Sequence, residues 1–135
     1  MSNNRWNRSL VLLFILSLLG GCGGPYSGSW MATFFGDMDG RTDPFDVDNS
    51  GNFSFVAVDL YTDGAKTPKH WTGIGSGNIT DQGVLTSDLT LETVDGNQAQ
   101  GNLSAQCSQS NGLGEWNITE VDEKLGGTLT LLQTN

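Results

Sequence analysis

The sequence predicts an all-β fold of about eight antiparallel strands in up-and-down order, closed into a barrel after an N-terminal signal segment. Three observations predict it. Apolar and polar residues alternate with period two through most of the chain, as in a strand with one face buried. Turn-forming pairs such as Asp-Gly and Asn-Gly divide that alternation at nearly regular intervals. No long run of helix formers interrupts the pattern beyond the N-terminal segment. The 135 residues suffice for one small domain. A net charge of −9 argues against a nucleic-acid partner, which needs clustered Lys and Arg. Two cysteines exclude a disulfide-dense scaffold and a Cys-rich zinc module.

Turns are expected at Asp39-Gly40, Asn49-Ser50-Gly51, Asp63-Gly64, Asp81-Gln82-Gly83, Asp95-Gly96, Asn111-Gly112 and Gly126-Gly127. They separate strands over 28–36, 42–48, 52–61, 69–80, 83–94, 98–107, 113–121 and 126–133. The third strand is apolar on both faces: Phe53, Phe55 and Ala57 oppose Val56, Val58 and Leu60, and Asp59 falls in the first set. That strand must carry a mismatch or a bulge. In the fourth, Gly73, Gly75 and Gly77 share the face of Trp71 and leave room for a ligand, a crossing backbone or a bend. The fifth sets Leu85, Leu89 and Leu91 against Thr86, Asp88, Thr90 and Glu92. The sixth alternates most cleanly, with Ala99, Gly101, Leu103, Ala105 and Cys107 facing one way and Gln98 through Gln106 the other. Trp116 and Ile118, then Leu129 and Leu131, continue the rhythm. Gly51-Asn52-Phe53-Ser54, Gly77-Asn78-Ile79-Thr80 and Gly101-Asn102-Leu103-Ser104 repeat one pattern, consistent with repeated hairpins. Closure into a barrel removes exposed edges. A two-sheet sandwich, with the 65–69 loop crossing between sheets, is the alternative.

The first residues read as an export signal. Arg5 and Arg8 precede an apolar run from Leu10 to Leu19, and small residues follow. As a helix that run spans only ~15 Å, half of a bilayer's ~30 Å apolar core. Leu19-Gly20-Gly21-Cys22 resembles the lipobox of bacterial lipoproteins. Gly23, Gly24 and Pro25 read as a flexible linker within 22–27, ahead of the barrel domain that alternation gives over 28–135, and the resemblance implies a signal peptide over 1–21 and lipidation at Cys22. It also implies a membrane partner through that lipid and a place in the bacterial cell envelope. Gly23, standing where an aspartate favours the inner membrane of enterobacteria, points to the outer membrane. Loss of Arg5 and Arg8 with the signal leaves a still more acidic body, which the linker would hold off anionic headgroups. Gly28-Ser29-Trp30 resembles the Gly-x-Trp that opens lipocalin and avidin-like barrels. Together the features resemble small bacterial β-barrel lipoproteins, a resemblance that brings no particular activity.

Asp46-Val47-Asp48-Asn49-Ser50-Gly51 matches the opening of a calcium loop. The twelfth position is Ala57, so Asp46, Asp48 and Ser50 are calcium candidates without the closing glutamate, and turn chemistry is the competing reading. No metal, cofactor or catalytic residue is assigned. His70, the single histidine, has no nucleophile motif to serve and reads as a strand-edge residue. Cys107 reads as a small buried apolar group. Trp30, Trp71, Trp116, Phe53 and Phe55 are candidates to line a ligand cavity, and equally to fill a core. The expected role is therefore non-enzymatic: a barrel that binds a small apolar ligand or is structural. The alternative is an interaction or protease-inhibitor module presenting loops to an envelope protein.

Overall fold

A computed structural model describes residues 24–134, so the expected signal segment and the expected lipidation site at Cys22 lie outside the described residues. Alternation becomes nine antiparallel strands: β1 (Gly28–Gly36), β2 (Asp39–Thr42), β3 (Phe45–Val47), β4 (Asn52–Tyr61), β5 (His70–Ile79), β6 (Val84–Glu92), β7 (Gln98–Ser108), β8 (Asn111–Glu120) and β9 (Glu123–Gln133). They form one sheet. From β4 to β9 each strand pairs with the next, β9 pairs with β1, and β1 pairs with β2, which returns to β4. The ring is thus a closed eight-stave barrel with a ninth short strand, and the sandwich alternative does not form.

The ninth strand arises because one expected stave is broken. The stave expected at 42–48 begins instead at Asp39, and Pro44, with no backbone N–H to give the ladder, divides it into β2 and β3. The register against β1 slips by one residue between Thr33↔Arg41 and Trp30↔Phe45. The buried Thr42 hydroxyl fills the gap by accepting the Ala32 N–H at 3.0 Å. A second splice lies between β5 and β6, where the Asp88 carboxylate accepts the Ser76 N–H at 2.8 Å.

The bulge required in β4 sits at Asp59, whose φ of 59° lies in the left-handed region. The extra residue brings Ala57 and Leu60 inward together and turns Asp59 out.

Three turns differ from expectation. The chain reverses at Asp37-Met38, Gln109-Ser110 and Val121-Asp122, while Asp39-Gly40, Asn111-Gly112 and Gly126-Gly127 lie in strands. Packing claims these glycines. A side chain at Gly127 would meet the Phe35 carbonyl and the Trp116 indole, and one at Gly112 the Cys107 sulfur at 2.9 Å. The turns at 48–51, 80–83 and 93–96 share one construction. Asp48, Thr80 or Thr93 accepts the N–H four residues on through its side chain, and Gly51, Gly83 or Gly96 supplies the positive φ.

The interior is filled by side chains. Trp30, Phe34, Met38, Leu91 and Leu129 are fully buried, and Phe45, Phe53 and Phe55 stack together with centroids 5.3 to 6.4 Å apart. The glycines of β5 make room for this. A methyl at Gly75 would run into the Phe55 ring and the Asp88 carbonyl, and one at Gly73 would meet Leu91 at 2.8 Å.

Replacing glycine by alanine within a strand ordinarily stabilises by about 0.5–1 kcal/mol. Here the sign reverses: Gly75→Ala is expected to cost about 1–3 kcal/mol through overpacking. Phe55→Ala should cost about 3–5 kcal/mol, and the double variant less than the sum. Denaturant unfolding of the three variants checks the coupling.

Candidate functional site

The barrel's two ends differ in construction. One end holds the incoming chain at Gly24 and the turns at 48–51, 80–83 and 109–110; we call it the tether end. The other holds the turns at 37–38, 93–97 and 121–122 and the long 62–69 loop. That loop is a strap, so we call this the strap end.

Thr62 and Lys69 close the base of the strap. The Thr62 N–H donates to the Lys69 carbonyl at 3.0 Å, and the buried Thr62 hydroxyl oxygen accepts both the Lys69 N–H and the Trp71 indole N–H, at 3.2 and 3.1 Å. The strap then reaches across the mouth from β4 and β5 to the β8–β9 hairpin. There the Glu123 carboxylate accepts the Lys66 N–H at 3.0 Å, and the Lys69 ammonium meets Glu120 at 2.7 Å. On another side the Gly64 N–H donates to the Asp37 carbonyl at 3.2 Å. Lys69 also lies over the Trp71 ring, 6.0 Å from its centroid, so one cation caps an aromatic and an acid together. Ala65 rests on the core beneath.

Glu120 is the functional-looking residue that the sequence reading missed. It follows Trp116 and Ile118 on the inward face of β8 and is 8% exposed. Extending the alternation two residues further would have found it. Asp59, which shares the sequence parity of Phe53, Phe55 and Ala57, points outward.

Two apolar residues flank the strap. Val94 tips the β6–β7 turn and Val121 the β8–β9 turn, at 105% and 89% exposure. Val121 holds a φ of 35°, in the left-handed region. Between the strap and the β6–β7 turn runs a shallow groove of about 420 Å³, lined by Thr67, Pro68, His70, Val94 and Asn97. His70 is exposed and stacks on Tyr61 with centroids 4.6 Å apart. Near the same end, Asp39 carries its carboxyl above the ordinary range, first through desolvation and then through the charge and hydrogen bond of Asp63.

The aromatic candidates lie inside but are spread along the barrel. The Trp30 indole donates to the Tyr26 carbonyl at 2.8 Å toward the tether end, Trp71 sits beneath the strap, and Trp116 donates to the Phe35 carbonyl at 2.9 Å. Phe53 and Phe55 belong to the three-ring stack with Phe45. Among the described residues no buried side-chain polar atom lacks a partner, so none is left aimed at a ligand. Asp48 spends one carboxylate oxygen on the Ser50 and Asn52 N–H groups of its own turn, while Asp46 faces out from β3. No group of three His, Cys, Asp or Glu side chains placed to hold a metal occurs among the described residues. Cys107 is buried, and burial pushes its thiol up to about 11. No family model, curated protein or solved structure matches the chain.

Glu120→Gln should weaken the strap by about 1.5–3 kcal/mol, the range for a hydrogen bond to a charged group. Faster amide exchange at Thr62 and Lys69, with the β6–β7 ladder unchanged, is the expected readout. Cys107 gives a pH dependence. The folded thiol keeps its proton up to about 11, while an unfolded thiol loses it near 9.0. Its contribution is therefore complete below 9.0 and is lost as pH rises toward 11. Unfolding titrations should show about 2 kcal/mol of this alkaline loss in the native chain and not in Cys107→Ala.

Proposed function

We propose that the protein is a lipid-anchored envelope module, held by Cys22 in the outer membrane, whose strap end engages another envelope protein. The barrel serves it as a non-enzymatic pedestal. One observation carries this reading: a barrel whose interior is filled by its own side chains exposes two valines at the tips of neighbouring turns, on either side of a pinned loop. Exposed valines at turn tips add nothing to folding, and burying each against a partner contributes about 1.5–3 kcal/mol. The pinned strap adds preorganisation, which lowers the ordering cost of binding. The lipobox resemblance at Leu19-Gly20-Gly21-Cys22 supports the anchor.

The up-and-down barrel is compatible with a lipocalin-like architecture, which supports a second reading as a carrier of a small apolar molecule. The filled interior favours the interaction reading over it.

Crosslinking in cells that make the native lipoprotein should recover one stoichiometric envelope partner. The paired Val94→Asp and Val121→Asp change should reduce recovery at least tenfold with the fold intact by circular dichroism. Equal recovery by both proteins would refute the assignment of the strap end. A saturable shift of tryptophan emission on adding a hydrophobic probe would instead support the carrier.

A further inference from the structure

We infer that the tether end is a membrane-seating surface for zwitterionic lipid headgroups, so that the barrel stands upright with its strap end turned away from the bilayer. This rests on the lipid-anchor reading above. In the sequence only Gly23 separates Cys22 from Gly24. Gly24 is docked on the barrel. Its carbonyl accepts the Ser27 N–H at 3.2 Å and the Ser27 hydroxyl at 3.1 Å, and a side chain there would lie 2.6 Å from the Asn49 carbonyl oxygen. Tyr26 fixes the segment further. Its ring meets Trp30 with centroids 6.4 Å apart, and its hydroxyl donates to the Cys107 carbonyl at 3.3 Å. The linker expected over 22–27 is therefore a docked turn through its described part.

Two residue steps span at most ~7 Å of extended chain. Chain length alone would keep an acylated Cys22 within ~7 Å of Gly24, too short a reach for the tether end to stand far off the bilayer. What the tether end presents must suit the headgroups. Val84, Leu113 and Leu132 are 42%, 65% and 56% exposed around its rim. They form an arc broken by one amide: Gln106 pairs with both Val84 and Leu113, and Leu132 is the diagonal neighbour of Leu113 across the β8–β9 ladder. Apolar side chains backed by amides suit the boundary between headgroup and acyl chain.

Charge selects the headgroup. The described basic residues are Arg41 on β2, Lys66 and Lys69 in the strap and Lys124 beside the β8–β9 turn, all toward the strap end. The tether end carries Asp46, Asp48 and Asp81 without a cation among the described residues. An anionic leaflet would repel it, and a zwitterionic one would not.

The test uses the full lipidated chain in phosphatidylcholine vesicles carrying a nitroxide lipid, with a fluorophore at Leu113→Cys or Val94→Cys. Quenching at the Leu113 site should exceed that at the Val94 site at least fivefold. Doping the vesicles with phosphatidylglycerol should reduce it, and a ten-residue Gly-Ser insertion after Gly23 should bring the two sites toward equality. Equal quenching in the native-length chain, or stronger quenching on adding phosphatidylglycerol, overturns the seating while leaving the anchor intact. Absence of acyl mass on Cys22 by mass spectrometry overturns both.

Discussion

Closure through β1 is the constraint on which the rest of the molecule depends. β1 is hydrogen-bonded on one side to β9 and on the other to both halves of the broken stave. If either side opened, two strand edges and the aromatic interior would face water together. The break at Pro44 falls at this seam, and Thr42 lends a hydroxyl where a backbone partner is missing. The seam also joins the first and last strands of the described barrel: the Thr134 N–H donates to the Ser29 carbonyl at 2.8 Å, and the Gln133 amide to the Ser27 carbonyl at 3.1 Å. The residues that enter β1 from Ser27 on are therefore held beside the same seam that closes the wall.

Filling so narrow a barrel with three tryptophans and several phenylalanines forces the wall to give way where the rings press on it. The glycines are those places. Gly75 lies under Phe55, and Gly127 lies beneath the Trp116 indole. Between β5 and β6, Asp88 replaces a backbone acceptor with its own carboxylate. Large rings, absent side chains and spliced ladders are three consequences of one packing problem.

The same physics explains how far the sequence could be read. Alternation reported the inward face of β6 to β9, because period two is imposed by the pleat and survives any choice of turn. The double apolar face of β4 even announced the bulge at Asp59. Glycine was ambiguous, since one residue type serves both positive φ and close approach: Gly51, Gly83 and Gly96 do the first, Gly112 and Gly127 the second. The displaced turns at 37–38, 109–110 and 121–122 follow from that ambiguity. Of the strap-end site, little was legible. Lys69–Glu120 and Lys66–Glu123 join residues more than fifty positions apart, and no local pattern encodes such a meeting. Val94 and Val121 looked like ordinary strand-end residues until the turns were placed.

A polarity along the barrel axis ties these features together. An up-and-down meander sends alternate turns to opposite ends, so residues neighbouring in sequence are parted and distant ones are gathered. The cations collect toward the strap, where the Lys69 ammonium and the Lys66 backbone N–H are committed to the β8–β9 hairpin, and the tether end keeps acids, amides and the apolar arc of Val84, Leu113 and Leu132. A flexible linker would erase the meaning of that difference, because a body free to tumble presents every face. The docked turn from Gly24 to Ser27 restores it. On the proposed anchor, chemistry at one end would bear on the bilayer and chemistry at the other on a partner.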